Sequence, residues 1–174
     1  MKTKDLVQGA ILLALGTILH FVVPGFVNGV KPDFLTVCMF VAIIAAPSVQ
    51  NSLVLGVAAG ILAALTTSFP GGQLPNFVDK VASALFCYGL LQLLPSYVGG
   101  RSQLLARGIN FVLSTMVSGG IFLLLAMVMV GLPGGAKFFP MFVAIVLPTA
   151  LVNGLAGTVI DRAVSVYRKR MSLS

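Results

Sequence analysis

Residues 109–130, INFVLSTMVSGGIFLLLAMVMV, are 22 consecutive positions without a single charged side chain. A helix needs about 20 predominantly apolar residues to cross the hydrocarbon core of a bilayer. The apolar side chains run continuously instead of alternating with polar ones, which favours a helix over a strand of a membrane barrel. The stretch therefore predicts a transmembrane helix, and with it a membrane protein.

Five further apolar runs lie on either side of this helix. Their bounds are Leu6–Val23, Phe34–Ala46, Leu53–Thr67, Phe77–Leu94 and Met141–Ile160. The run that begins at Phe34 is short for a membrane span, so it either crosses with little tilt or continues past Pro47. Together the six runs predict an all-α integral membrane protein, in which residues 1–174 form one domain of six transmembrane helices.

The composition points the same way. Of the 174 residues, 58% are hydrophobic and 9% are charged, whereas charged residues make up about 25% of a typical soluble domain. The net charge of +7 does not indicate a nucleic-acid partner, because the basic residues flank the apolar runs instead of forming one polar face. We therefore expect a lipid bilayer, and no nucleic acid, around the chain.

The basic residues also predict how the helices are oriented. Six spans place both termini on one side of the membrane, and that side carries more basic residues than the other. The first side holds Lys2, Lys4, Arg101, Arg107, Arg162, Arg168, Lys169 and Arg170, and the second holds Lys31, Lys80 and Lys137. Because cytoplasmic loops carry the excess of Lys and Arg, both termini are expected in the cytoplasm.

The densest group of polar side chains opens the fourth run. It consists of Gln73, Asn76, Asp79, Lys80 and Ser83, of which Asn76, Asp79 and Ser83 share one helix face. Polar groups at membrane depth are costly and mark binding sites or transport pathways. A capping arrangement is the alternative, with Asn76 as the N-cap, Asp79 in the first turn and Lys80 extended outward.

A second polar group, Lys31 and Asp33, precedes the second run, where Asp33 alternatively caps the helix. Lys31, Asp33, Asp79 and Lys80 would place two cations and two anions at one outer mouth. That pattern suits a zwitterion such as a free amino acid, and nearby phenylalanines can wall an aromatic side chain. In the sixth run, Asn153 is the polar residue expected to reach the same cavity, with interhelical hydrogen bonding as the alternative.

Catalytic motifs are not evident in the chain. His20 is the single histidine, and the Cys, His and Asp residues do not have the spacing of a metal site. Residues 134–137 (GGAK) lack the spacing of a nucleotide-binding P-loop. We therefore expect no enzymatic activity, no metal and no cofactor, and any ATP-driven step must come from another chain.

The chain resembles the substrate-binding S component of energy-coupling factor (ECF) transporters, and within them the tryptophan-specific family. The stretches that carry the resemblance are 4–7 (KDLV), 29–34 (GVKPDF), 65–76 (LTTSFPGGQLPN) and 79–80 (DK). They accompany a length of 174 residues, six predicted helices and an alanine pair one turn apart, Ala10 and Ala14, on the first helix. The resemblance covers nearly the whole chain.

The resemblance implies a function and partners. S components bind a vitamin, a metal or an amino acid near the outer surface of a prokaryotic plasma membrane. They dock through the first helix onto a transmembrane coupling protein with two ATPase subunits, and Ala10 and Ala14 match the docking residues. Small residues at this spacing also occur in ordinary internal packing. The implied function is tryptophan uptake; the alternatives are another small ligand, or a membrane structural or assembly protein.

Overall fold

The computed structural model describes residues 3–23, 33–93 and 101–171, and its regular elements are helices. They are α1 (Thr3–Val22), α2 (Phe34–Ala45), α3 (Val49–Thr66), α4 (Gln73–Leu93), α5 (Arg101–Met129), α6 (Phe138–Met141) and α7 (Leu147–Met171). A 3-10 turn covers Pro133–Gly135, and a π-helical turn, Phe142–Val146, joins α6 to α7 without a break. The predicted all-α fold is confirmed.

Four helical stretches are long and apolar enough to cross a membrane. These are Thr3–Val22, Val49–Thr66, Gln103–Met129 and Phe138–Arg170. With 12 residues, α2 is about 18 Å long, less than the hydrocarbon thickness of about 30 Å. With 21 residues, α4 is long enough, but polar and charged side chains occupy its first turns. The architecture is that of a multi-pass membrane protein.

Several helices extend beyond the apolar runs from which they were predicted. α3 begins at Val49 instead of Leu53, α4 at Gln73 instead of Phe77, α5 at Arg101 instead of Ile109, and the last helical stretch covers 138–171 instead of 141–160. The predicted bounds were wrong at these ends because hydropathy detects only the part of a helix suited to hydrocarbon. Backbone hydrogen bonds continue the same helix through polar turns.

Helix α2 lies at the centre of the bundle. All residues from Leu35 to Ile44 are buried, and α1, α3, α4, α5 and α7 all contact the helix. A helix that is apolar all round lies in a protein core or in lipid, and α2 is covered by the other helices. It ends at Ala45, and Ser48 caps α3 by accepting a hydrogen bond from the Asn51 amide at 3.1 Å. The helix therefore does not continue past Pro47.

Close approach of α1 to α2 requires a glycine. A Cβ atom on Gly16 would lie 2.7 Å from the carbonyl oxygen of Phe34, too near for any other residue. Gly16 shares the buried face of α1 with Gly9, Leu12 and Leu13. The opposite side of the same helix is apolar and exposed.

The bundle has two ends with different polar groups. At the first, which we call the cavity end, His20 of α1 lies 3.7 Å from Asp33, the residue before α2. At the second, the terminal end, Arg168 of α7 contacts Asp5 of α1 at 3.4 Å and the carbonyl oxygen of Ala45. The first and last helices therefore bring the two terminal segments of the chain to the same end of the bundle.

Candidate ligand-binding site

A buried lysine forms the centre of the cavity end. Lys80, two turns into α4, has 3% of its surface exposed. Its Nζ atom donates hydrogen bonds to Asp33 Oδ2 at 3.1 Å, to Asp79 Oδ1 at 2.9 Å and to Ser118 Oγ at 3.4 Å. A buried ammonium persists only where anions and hydrogen-bond acceptors replace water. This cluster therefore joins α4 to α5 and to the start of α2.

Asp33 has a structural and an electrostatic role at once. Its carboxylate caps α2 by accepting hydrogen bonds from the Thr36 amide at 3.1 Å and the Thr36 hydroxyl at 2.6 Å. Its own amide donates to Asn153 Oδ1 at 3.0 Å. Burial alone would raise the pKa of the Asp33 carboxyl, but the charges of Lys80 and His20 and the Thr36 hydrogen bonds hold that pKa well below its usual range. The residue is therefore an anion facing Lys80.

Asp79 and Lys80 do not have the capping arrangement considered from the sequence. Because α4 begins at Gln73, Asn76 already lies inside the helix and Asp79 is in its second turn. Asp79 has 1% of its surface exposed and accepts a 2.6 Å hydrogen bond from Ser118. The outward extension of Lys80 is also wrong, since its ammonium points into the bundle. Lys80 therefore does not belong to a loop outside the membrane. Of the three basic residues assigned to the outer side, Lys31 and Lys137 remain in the orientation prediction.

The charged cluster forms part of the wall of a cavity of about 330 Å³. Its polar wall consists of Asp33, Asn76, Asp79, Lys80, Thr115, Ser118 and Thr149, and its apolar wall consists of Phe69, Gly119, Phe122, Leu123, Met141, Ile145 and Val146. The rings of Phe69 and Phe122 meet edge to face, with centroids 5.4 Å apart. Small-molecule sites have volumes of about 300–1,000 Å³ and mostly apolar walls with few convergent polar groups. The cavity has these properties.

The other residues predicted for the site have different positions. Asn76 lines the cavity and donates from its side chain to the Gly72 carbonyl at 2.9 Å. Asn153 is fully buried behind Asp33, with Thr115 Oγ1 3.4 Å from its amide nitrogen. Gln73 is exposed at the start of α4 and is not among the cavity residues. Lys31 lies outside the described residues.

Sequence reasoning missed most of the cavity wall contributed by α5, α6 and the π-helical turn. Phe122, Met141 and Ile145 look like ordinary lipid-facing residues in an apolar run. Ser118 belongs to a polar row with Asn110 and Ser114, a spacing that is typical of hydrogen bonds between membrane helices. That spacing was the available signal for Ser118, but it does not identify Asp79 as its partner.

Ala10 and Ala14, the residues expected to dock a partner, are not part of the cavity wall. Both are exposed on α1, on a side of the helix that does not include its buried residues Gly9, Leu12, Leu13 and Gly16. The alternative of internal packing for these two alanines therefore does not fit the fold. They leave a shallow apolar surface on the outside of the bundle.

A multi-pass helical protein with a charged, aromatic-walled cavity is the architecture of a membrane transport protein, and comparison with known proteins agrees. Residues 2–169 match the family model described as Tryptophan transporter TrpP. A probable tryptophan transport protein of Bacillus subtilis is 42% identical over 173 residues, covering 99% of this chain and 96% of its own. Proteins of the same description from Clostridium perfringens and Clostridium acetobutylicum are 38% and 34% identical, covering 99% and 94% of this chain and 97% and 93% of their own.

The chain therefore belongs to the TrpP tryptophan transporter family, and the family resemblance drawn from its sequence is confirmed. No solved structure matches it.

Proposed function

We propose that the chain is the substrate-specificity subunit, or S component, of an ECF-type uptake transporter for tryptophan. In this proposal six helices cross the plasma membrane of a prokaryote and both termini lie in the cytoplasm. The observation that carries the proposal is the cavity in which Lys80, Asp33 and Asp79 meet an aromatic wall. It offers a charged end for an amino-acid group and an apolar end for an indole ring.

The two ends of the cavity account for the two halves of tryptophan. The indole would lie against Phe69 and Phe122, since aromatic rings pack favourably edge to face or offset. The zwitterionic end would lie near the charged cluster. Of the residues predicted for binding, Asn76 would contact the ligand directly, because it lines the cavity, and Asn153 would hold Asp33, whose amide donates to it. Gln73, exposed at the start of α4, would act from the approach to the cavity, and a binding role for Lys31 stays a prediction.

Direct binding is the test of the substrate. The chain contains no tryptophan, so changes in the fluorescence of added L-tryptophan report binding to purified protein without interference from protein tryptophan. We expect saturable binding, and a rise in melting temperature with L-tryptophan that L-phenylalanine, biotin and riboflavin do not match. Binding of a vitamin instead would favour an S component for another ligand. Binding of none of these would favour a structural membrane protein.

The proposed orientation has a matched pair of test positions. Gln73 and Gln103 are both exposed glutamines, the first at the cavity end and the second near the start of α5. In a background in which Cys38 and Cys87 are alanine, Gln73→Cys should react with an impermeant thiol reagent added outside intact cells, and Gln103→Cys should not. External labelling of Gln103→Cys would overturn the proposal that the termini are cytoplasmic.

Energy for uptake must come from partner proteins in this proposal. The exposed Ala10 and Ala14 surface of α1 supports docking there, because two small side chains one turn apart let a partner helix approach closely. The partners would be a transmembrane coupling protein and its ATPase subunits.

A further inference from the structure

We propose that Lys80 is an internal counter-ion that holds two carboxylates in place, and that the site selects its ligand by the ligand's ammonium group. This inference rests on the proposed function, because it concerns the same cavity. It differs from the expectation drawn from sequence, in which the lysine would meet the carboxylate of a zwitterion.

The hydrogen bonds of Lys80 are the first argument. A lysine ammonium has three N–H donors and no acceptor. Three acceptors lie within 3.5 Å of Nζ: Asp33 Oδ2, Asp79 Oδ1 and Ser118 Oγ. The Ser118 hydroxyl donates its hydrogen bond to Asp79 Oδ1 at 2.6 Å, so its oxygen is free to accept from Lys80. A ligand carboxylate could bind Lys80 only by displacing one of these partners.

The charge balance is the second argument. Among the described residues that line the cavity, the ionisable side chains are Asp33, Asp79 and Lys80. The wall itself therefore holds one cation and two anions, an excess of one negative charge that His20, 3.7 Å from Asp33 but outside the wall, offsets only when it is protonated. Interactions between charges are strong where the dielectric constant is low. A ligand ammonium would remove this excess, whereas a ligand carboxylate would add a third anion to the cluster.

The fixed positions of the carboxylates are the third argument. Asp33 is held by Thr36 and, through its backbone, by Asn153, while Asp79 is held by Ser118. Groups that are already oriented bind a charged ligand without a further ordering cost. Neutral groups in the cavity wall, such as Asn76 and Thr149, would then meet the ligand carboxylate. The site therefore recognises the aromatic ring and the ammonium more strongly than the carboxylate.

Ligand analogues test the inference on the unaltered protein. Tryptamine lacks the carboxylate of tryptophan, and indole-3-propionate lacks its ammonium. We expect tryptamine to bind within about tenfold of L-tryptophan, and indole-3-propionate to bind at least about a hundredfold more weakly, as when one partner of a buried charge pair is removed. The opposite order, or equal losses for both analogues, would overturn the inference. If tryptamine binds and L-tryptophan does not, the proposed substrate is wrong but ammonium selection stands; if neither binds, both proposals fail.

A thermodynamic cycle then isolates Lys80. The double variant Asp79→Asn/Lys80→Met removes one charge of each sign, and L-tryptophanamide neutralises the ligand carboxylate. If Lys80 does not contact that carboxylate, the affinity ratio of tryptophan to tryptophanamide should stay within about twofold of the wild-type ratio, because uncoupled changes add. A ratio that falls tenfold or more towards one would show direct contact and overturn the inference. Asp33→Asn/Lys80→Met provides the same cycle if the first variant does not fold, and Lys137→Met is the control for an exposed lysine.

Discussion

The two ends of the bundle contain the same kinds of charged residue in different proportions. At the terminal end each acid has an arginine: Asp161 meets Arg107 at 2.8 Å, and Asp5 meets Arg168 at 3.4 Å. At the cavity end Asp33 and Asp79 share Lys80, and His20 lies 3.7 Å from Asp33. The arginines pair with single acids at the terminal end, whereas the two carboxylates beside the cavity are those that we propose for a ligand ammonium.

The surroundings of the charges differ as well. The arginine side chains at the terminal end are 25% and 33% exposed, whereas the side chain of Lys80 is 4% exposed. A partly exposed arginine can return to water when its partner is lost, while a buried ammonium or carboxylate cannot. Substitutions at the two ends should therefore differ in size and in the property that changes.

The largest expected effect is that of Lys80→Met. This variant leaves the Asp33 and Asp79 carboxylates buried without their cation, and breaking a buried ion pair by removing one partner costs about 3–5 kcal/mol. We expect a loss of stability of this order in detergent, measured by thermal or chemical unfolding. Lys137→Met, which changes an exposed lysine, should unfold like the wild type. Wild-type stability of Lys80→Met would contradict the buried cluster.

A smaller loss is expected at the terminal end. Asp161→Ala removes the acceptor of Arg107, and hydrogen bonds to charged groups contribute about 1.5–3 kcal/mol. Because this pair is remote from the cavity residues, stability should fall while tryptophan affinity stays unchanged, as measured by unfolding and by ligand fluorescence on the same preparation. Weakened binding in a folded Asp161→Ala protein would show that the two ends are coupled, and the comparison would then fail.

The reverse pattern is expected for Asp79→Asn, which keeps the shape of the side chain and removes its charge. The cluster becomes neutral, so the attraction for a ligand ammonium weakens. We expect tryptophan affinity to fall by tenfold or more, about 1.4 kcal/mol, in a protein that still folds. Gln103→Ala, an exposed position near the start of α5, serves as the control and should bind as the wild type does. Unchanged tryptophan affinity in Asp79→Asn would show that the charge of Asp79 does not contribute to binding.

The smallest effect on the isolated protein is expected on the apolar surface of α1. Ala10→Trp with Ala14→Trp adds two large side chains to an exposed face, and substitutions at such positions usually change stability by about 0.5 kcal/mol or less. Ligand affinity should also be preserved, while transport and co-purification with an ATPase complex should be lost. Unimpaired transport would remove the docking proposal, and an unfolded protein would restore the internal-packing alternative.

The sequence predicted the helices better than their ends. The charge-free run 109–130 identified α5, but not the eight residues that extend it back to Arg101, because a polar turn and a loop have similar composition. For the site, Asp33, Asn76, Asp79 and Lys80 were correctly expected near one another, and the structure brings all four to one cavity. Gln73 was grouped with them by proximity in sequence, yet helical geometry leaves it exposed.

The sequence by itself determined that the chain is a helical membrane protein and which family it belongs to, because hydropathy and local motifs are properties of contiguous residues. Only the tertiary structure decided whether each polar residue caps a helix, joins helices or lines the cavity. Asp79 and Lys80 are adjacent in the sequence, but their partners are distant in it: Ser118 is 39 residues from Asp79, and Asp33 is 47 residues from Lys80. Such contacts depend on how α4 packs against α5 and the start of α2, and the spacing of residues along one helix does not contain that information.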